Sequence, residues 1–91
     1  MGMCAPSGGI NPPVTGNRLE PNGQPPNSLT RLFDRFGRLI RERWYDANGN
    51  ALWDRDHTDH GNPANHPQVP HDHGWLNGIR ERPWRMPSGA C

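Results

Sequence analysis

The sequence predicts a small β-rich domain, and two observations support that prediction. The chain has 91 residues, of which 31% are hydrophobic, with 11 glycines and 11 prolines. A chain of this length and composition cannot bury a large core, so much of it must form loops and turns. In addition, two Asp-x-x-Gly sequences, Asp34–Gly37 and Asp46–Gly49, separate three runs rich in apolar, aromatic and arginine residues.

Residues 1–27 differ in composition from everything that follows. They are rich in proline and glycine and show no hydrophobic period of 2 or 3.6 residues. Such a composition predicts a disordered or loosely extended arm. We therefore place the β-rich domain at residues 28–87, followed by a short tail at 88–91.

The two Asp-x-x-Gly sequences predict type I turns that close with glycine in the left-handed region. The strands they connect make a three-stranded antiparallel meander over residues 29–34, 38–46 and 51–57. A helix over the central run is the alternative. It is not favoured, because the flanking glycines bound it closely and its apolar positions form no stripe.

Charge pairing selects the register of the second hairpin. A three-residue loop would set Glu42 opposite Asp54, a like-charge clash, whereas a four-residue loop gives complementary pairs. Those pairs are Arg41–Asp56, Glu42–Arg55, Arg43–Asp54 and Trp44–Trp53. At about 0.2–1 kcal/mol per cross-strand pair, the four-residue loop is favoured by about 2–3 kcal/mol.

The same loop length in the first hairpin defines two faces of the sheet. It sets Leu29 opposite Trp44, Arg31 opposite Glu42, and Phe33 opposite Ile40. The face predicted to be the core carries Leu29, Phe33, Ile40, Trp44, Trp53 and His57. The opposite face, predicted to be a half-apolar and half-charged surface, carries Leu32, Leu39, Tyr45 and Leu52 beside Arg41, Arg43, Asp54 and Asp56.

A sheet of three strands is marginally stable alone, so a further segment must cover its core face. The candidates are a long loop rich in histidine and proline, residues 59–74, and the segment that follows it. Residues 79–86 permit a short fourth strand. Pro83 would confine that strand to an edge of the sheet, because proline lacks the backbone N–H of a central strand.

All five histidines lie between residues 57 and 73. A metal site is one interpretation, because imidazole and carboxylate groups bind zinc and other divalent cations. Its ligands would be His60, His71, His73 and Asp56. The spacing matches neither a zinc finger nor the helical His-Glu-x-x-His arrangement. A solvated loop without chemistry is a second interpretation.

Histidine acid/base catalysis is the third interpretation, and it suits the cleavage of RNA. The 2′-hydroxyl of RNA is an internal nucleophile, so such an enzyme needs only a base, an acid and a cation near the phosphate. The residues in these roles would be His71 and His73 as the acid/base pair, His57 or His60 as an auxiliary group, Asp56 and Asp72 as orienting carboxylates, Arg41 or Arg43 at the phosphate, and Trp75 on the substrate.

Residues 43–75 resemble a known family. They contain Tyr-Asp-x-x-Gly, then Asp-x-Asp-His-Thr, and then Pro-His-Asp-His-Gly-Trp. This pattern is similar to the C-terminal toxin domains of bacterial polymorphic toxins of the Rhs and YD-repeat type, and to related small phage and prophage proteins. The resemblance implies a nuclease that acts on RNA and is neutralised by a cognate immunity protein. The residues it carries over are Asp54, Asp56, His60, His71, His73 and Trp75.

Composition and charge exclude several other functions. The net charge of +1 gives no general electrostatic attraction to nucleic acid. All ten basic residues are arginines, so no lysine is present to act as a nucleophile or to form a Schiff base. No segment resembles a membrane span or an export signal, and we expect no membrane partner.

These observations predict a toxin-like ribonuclease that needs no cofactor and acts on RNA in the cytoplasm, including after delivery from another cell. A non-enzymatic phage or mobile-element module, with zinc or another divalent metal in its histidine and aspartate cluster, is the alternative. A domain that binds a partner through its arginine and tryptophan surface is a further one.

Overall fold

The computed structural model describes residues 6–57, 71–76 and 78–84, which form one six-stranded sheet. The strands are β1 (Val14–Thr15), β2 (Leu29–Phe33), β3 (Leu39–Tyr45), β4 (Ala51–Asp56), β5 (His71–Leu76) and β6 (Ile79–Trp84). They lie side by side in chain order, with β1 parallel to β2 and every other neighbouring pair antiparallel. Within the described residues, no helix is long and apolar enough to cross a membrane.

The small β-rich fold is confirmed, but the predicted number of strands is wrong. Strands β2, β3 and β4 form the predicted meander, and β6 is the predicted edge strand with Pro83 in it. Strands β1 and β5 were not expected. The hairpin of β5 and β6 had a signal in the sequence, because Asn77 and Gly78 lie between apolar residues, which is a strong indication of a two-residue turn. Gly78 has the positive φ of 78° that such a turn requires.

The two Asp-x-x-Gly turns have the same hydrogen bonds, as predicted for type I turns closed by glycine. The N–H groups of Gly37 and Gly49 each donate to the aspartate carbonyl three residues earlier, at 3.0 Å, with φ of 82° and 76°. The carboxylates of Asp34 and Asp46 each accept from the backbone N–H groups two and four residues later, at 2.8 and 3.0 Å. The aspartate and the glycine therefore determine the turn.

The predicted charge register of β3 and β4 is confirmed: Arg41–Asp56, Glu42–Arg55, Arg43–Asp54 and Trp44–Trp53 are all paired. Next to the turn, however, the register is that of a three-residue loop, and Tyr45 pairs with Ala51. Leu52 is the extra residue that joins the two registers, which makes it a β-bulge. The residues next to the turn therefore have the register of a three-residue loop, and the charged pairs further along have the register of a four-residue loop.

The first hairpin contains the same irregularity, and it corrects one predicted pair. Phe33 pairs with Leu39 and not with Ile40, because Ile40 is the bulged residue on β3. The predicted pairs Leu29–Trp44 and Arg31–Glu42 are confirmed. A β-bulge bends its strand and increases the local twist. The two bulges therefore curve the sheet close to both turns.

Half of the predicted core face is confirmed: Leu29, Trp44 and Trp53 form a buried cluster, whereas Phe33, Ile40 and His57 are only half-buried. The two indole rings are stacked, with centroids 4.1 Å apart and planes 4° from parallel. The guanidinium of Arg55 lies 4.9 Å from the ring of Trp53 and 5.7 Å from the ring of Trp44. Aromatic pairs and cation–π contacts of this kind add to the stabilisation that burial of the rings provides.

The opposite face was predicted to be a surface, and that prediction is wrong. Leu32 and Tyr45 are 1% and 3% exposed, and Asp54 and Asp56 are completely buried. Residues that precede the meander cover part of this face, since Leu19 is buried and its carbonyl accepts a hydrogen bond from Arg43 at 2.9 Å.

The described part of the N-terminal segment, residues 6–27, consists mostly of turns and irregular backbone and is held to the sheet. Two of its backbone contacts are with the strand segment from Leu29 onwards: Asn11 N–H donates to the Leu29 carbonyl at 2.8 Å, and β1 pairs with β2. Further along, Ala51 N–H donates to the Pro21 carbonyl at 2.8 Å, and the Tyr45 hydroxyl donates to the Glu20 carbonyl at 2.6 Å. Most of these contacts use backbone groups, which composition does not reveal.

Alanine substitution of the two turn glycines tests whether the N-terminal segment contacts the second turn in solution. Alanine at Gly37 is expected to cost about 1–2 kcal/mol, the strain of a left-handed backbone, because its Cβ would meet no atom within 4 Å. Alanine at Gly49 should cost about 1–3 kcal/mol more, because its Cβ would lie 2.1 Å from the Gln24 carbonyl oxygen. Urea unfolding of both variants measures the difference. Equal losses would contradict the placement of Gln24 against the second turn.

Candidate functional site

Arginine and aspartate side chains alternate across the face of the sheet opposite the stacked tryptophans. We call this row, Arg43, Asp54, Arg80, Asp56 and Arg41, the ladder. Asp54 accepts two hydrogen bonds from Arg43, at 2.6 and 2.9 Å, and a third from Arg80 at 3.0 Å. Asp56 accepts from Arg41 at 2.6 Å and also from Arg80. Both carboxylates are fully buried, so each must be paired with a cation to be stable there. The ladder connects β3, β4 and β6.

His73 is part of this ladder and is not accessible to a large substrate. It is 3% exposed, and it lies on β5 opposite Asp54. Its Nδ1 is 2.7 Å from the carbonyl oxygen of Glu81, to which it donates, and its Nε2 is 3.1 Å from Asp56 Oδ2. Both ring nitrogens therefore face acceptors within the fold. This position indicates a structural role for His73 instead of the predicted acid/base role.

The predicted orienting carboxylates also contact cations. Burial would raise the pKa of Asp56, but hydrogen bonds from His73 and Arg41, with the charges of Arg41 and Arg80, hold that pKa far below its usual range. Asp72 is fully buried on the other face, where Arg55 donates to it at 3.1 Å. Asp72 thus fixes the arginine that covers the two stacked tryptophans.

His57 is different, because it is accessible and is oriented by a buried carboxylate. Its side chain is 26% exposed, and its Nε2 lies 2.8 Å from Oε1 of Glu42, which is 2% exposed. The other oxygen of Glu42 accepts from Nε of Arg31 at 3.1 Å, and Arg31 is 36% exposed. We call these three residues the His57 cluster.

Neither Arg31 nor Glu42 was predicted as a functional group, and Arg31 and His57 both contact the carboxylate of Glu42. Burial would raise its pKa, but hydrogen bonds from His57 and Arg31, and the charges of both, outweigh burial and leave the pKa below its ordinary value. Glu42 therefore stays a carboxylate and holds the ring. A signal was present in the confirmed register, because Glu42 pairs with Arg55 and is thus a diagonal neighbour of His57, within reach of a long side chain.

The other predicted site residues are dispersed. The backbone of His71 pairs with that of Asp56, so β5 folds back onto the end of β4. His60 lies outside the described residues. Arg43 is 4% exposed and Arg41 17%, so neither is well placed for a phosphate in solution.

Trp75 lies at the opposite end of the sheet from His57. The guanidinium of Arg43 lies 4.7 Å from its ring, and the ring lines a pocket of about 520 Å³. Pro21, Asn50 and Leu52 also line this pocket. Because β4 begins beside the pocket and ends beside His57, the two sites are separated by about 20 Å.

The alternative metal site finds no support in the part of the chain that the structure describes. Nowhere in residues 6–57, 71–76 and 78–84 do three histidine, cysteine, aspartate or glutamate side chains converge as metal ligands. Asp56 and His73, two of the four predicted ligands, contact each other and neighbouring groups of the ladder. His60 and the side chain of His71 lie outside what the structure describes.

No family model, curated protein or solved structure matches this chain.

Proposed function

We propose that the protein is a small ribonuclease that cleaves RNA by histidine acid/base chemistry, as a toxin-like module. The observation that carries this proposal is the His57 cluster: an accessible imidazole, a buried carboxylate 2.8 Å from one ring nitrogen, and a half-exposed arginine on the same carboxylate. Nucleophile activation in many enzymes uses a base that is oriented in this way by a third group.

In the proposed reaction, Nε2–H of His57 donates to Glu42, which leaves Nδ1 as the base. Nδ1 takes the proton of a 2′-hydroxyl, the 2′-oxygen forms a bond to the adjacent phosphorus, and the bond from phosphorus to the 5′-oxygen breaks. A proton must reach that 5′-oxygen, and in this proposal it comes from His71, a member of the predicted acid/base pair, with His60 as the auxiliary group. The products are a 2′,3′-cyclic phosphate and a 5′-hydroxyl. Arg31 would stabilise the negative charge that develops on the phosphate.

This proposal changes the roles that the sequence predicted. His57 becomes the principal base instead of an auxiliary group, because His73 is buried. Arg31 replaces Arg41 and Arg43 as the phosphate contact, because it is the most exposed of the three arginines. A cognate immunity protein, action in the cytoplasm and an origin in a phage or mobile element belong to the same toxin-like proposal.

The direct test incubates purified protein with total RNA in the presence of EDTA. Wild-type protein should cleave the RNA, and the His57→Ala variant should be slower by about 10²–10⁴-fold, the usual contribution of a general base. Arg18→Ala, which removes an exposed arginine far along the chain, is the matched control and should cleave at the wild-type rate. Intact RNA with the wild-type protein, or equal rates with and without His57, would overturn the proposal.

Glu42 is a positioning residue in this scheme, and a second variant tests that role. Glu42→Gln should lower kcat while KM stays unchanged, because the amide no longer holds the ring through a charge-assisted hydrogen bond. Circular dichroism and melting curves must show that the variant is folded at the assay temperature. A change in KM alone would contradict the positioning role.

A further inference from the structure

The tip of the hairpin between β2 and β3 carries an exposed aromatic ring flanked by two arginines. The side chain of Phe36 is 67% exposed. The guanidinium carbon of Arg35 lies 4.8 Å from the ring centroid and that of Arg38 lies 5.2 Å from it. Both arginines are themselves exposed. We call these three residues the Arg-Phe tip.

The fold does not require these side chains. The hairpin between β3 and β4 makes the same turn with the same hydrogen bonds, and it has alanine and asparagines at the equivalent positions, Ala47, Asn48 and Asn50. Asn48 stands where Phe36 stands in the first turn. A single exposed apolar side chain is common on protein surfaces. Here, however, the exposed ring also carries two guanidinium groups that the turn does not need, and this combination indicates a contact surface.

The Arg-Phe tip lies at the same end of the sheet as the His57 cluster. The backbone N–H of His57 donates to the carbonyl of Ile40 at 3.0 Å. Phe36 is four residues before Ile40, a chain distance of at most about 13 Å. Arg31, on the neighbouring strand, forms an ion pair with Glu42 beside His57 and so places a positive charge there. One short ligand can therefore contact the tip and the cluster together.

We propose that the Arg-Phe tip binds single-stranded RNA, with one base stacked on Phe36 and the guanidinium of Arg35 on a flanking phosphate. Stacking on an aromatic ring and charge from guanidinium groups are the two interactions by which proteins hold single strands. A base that stacks on the ring displaces the guanidinium of Arg35, which then contacts a phosphate, whereas Arg38 stays in its ion pair with Asp34. Duplex RNA is excluded, because its bases are already stacked on one another. The inference rests on the proposed function and assigns its substrate class.

Binding and cleavage are separated in the test by the choice of RNA. A short fluorescent oligonucleotide with 2′-O-methyl groups at every sugar lacks the internal nucleophile, so its Kd can be measured with the wild-type protein. Phe36→Leu keeps apolar area but loses the aromatic ring, and it should weaken binding about ten-fold. Phe36→Trp should bind at least as tightly as the wild type. The matched control is Ile79→Ala, because Ile79 is 71% exposed on β6, and it should leave Kd unchanged.

The salt dependence of binding tests the arginines. Arg35→Ala should reduce the slope of log K against log salt concentration by about 0.7, the loss of one phosphate contact on a single strand. Arg18→Ala, the matched exposed arginine, should leave that slope unchanged. The inference is overturned if Phe36→Leu binds as tightly as the wild type, if the duplex of the same sequence binds as tightly as the single strand, or if the Arg35 and Arg18 variants have equal slopes.

The two proposals fail in distinguishable ways. RNA that is cleaved by the wild type but bound equally by Phe36→Leu would overturn the inference about the tip and leave the ribonuclease in place. A 2′-O-methyl oligonucleotide that binds through Phe36, together with an unmodified RNA that stays intact, would overturn the ribonuclease and support the tip as a binding site.

Discussion

Replacement of Asp54 by alanine is expected to lower the free energy of unfolding by about 3–5 kcal/mol, because it leaves a buried cation without its partner. Asp54 is fully buried and accepts three hydrogen bonds, two from Arg43 and one from Arg80. Arg43 is 4% exposed and cannot recover the lost interaction from water. Since small domains are stable by only about 5–15 kcal/mol, a loss of this size removes a large part of the total stability.

The matched control for Asp54 is an ion pair on the surface. Arg38 pairs with Asp34 at 2.8 Å but is 73% exposed, so Arg38→Ala should cost less than about 1 kcal/mol. Urea unfolding monitored by tryptophan fluorescence measures both variants. If the two losses agree within about 1 kcal/mol, the buried ladder does not hold the sheet together.

The second large effect is a loss of stability in acid. The pKa values of Asp56 and Glu42 lie below their ordinary values of 3.8 and 4.5 in the folded protein. A carboxyl group whose pKa is lowered by folding stabilises the protein fully above its unfolded pKa, and this contribution disappears as the pH falls toward the folded value. We therefore expect the contribution of these two carboxylates to be complete above about pH 5.5 and the stability to fall steadily below about pH 4.5.

The magnitude follows from proton uptake on unfolding. Each proton taken up lowers the free energy of unfolding by about 1.4 kcal/mol per pH unit, so two such groups give a slope of up to about 3 kcal/mol per unit near pH 3. Urea unfolding at a series of pH values measures the slope. Glu42→Gln lacks one of the two groups and should show a slope smaller by up to about 1.4 kcal/mol per unit. A flat profile between pH 5 and pH 3 would contradict the lowered pKa values.

Strand pairing in the centre of the sheet was predictable because charges specify it. Only one register sets Arg43 opposite Asp54 and Glu42 opposite Arg55, and the structure has that register. The turns were predictable as well, since aspartate and glycine each make a local contact that few residue types can make. The bulges at Ile40 and Leu52 were not predicted. The turn favours the register of a three-residue loop and the charged pairs favour that of a four-residue loop, and a bulge lets the chain have both.

The burial of the second face could not be predicted from composition. Residues 6–27 contact the sheet largely through backbone groups, such as the carbonyls of Leu19 and Glu20 and the N–H of Asn11, and nearly every residue type supplies these groups. For the same reason the charged side chains of β3 and β4 were expected to meet water. Their exact alternation of arginine and aspartate is nevertheless what allows the face to be buried.

The candidate site was predictable by residue type but not by arrangement. The clustering of histidines in the sequence predicted His57, His71 and His73 as site residues, with the last two as the acid/base pair. The choice among them depends on burial, and burial follows from the register of β5, which the sequence does not specify. His57 becomes the best candidate only when Glu42 is recognised on the same face.

The two bulges also make the chain tolerant of changes in length. With Leu52 removed, Tyr45–Ala51 and Trp44–Trp53 would become consecutive pairs of a regular hairpin, and no other pair would change. Removal of Ile40 would do the same for Phe33–Leu39 and Leu32–Arg41. Each hairpin therefore contains one extra residue beside its turn. Deletion of that residue would shorten the chain without shifting any charged pair, so the ladder would be preserved.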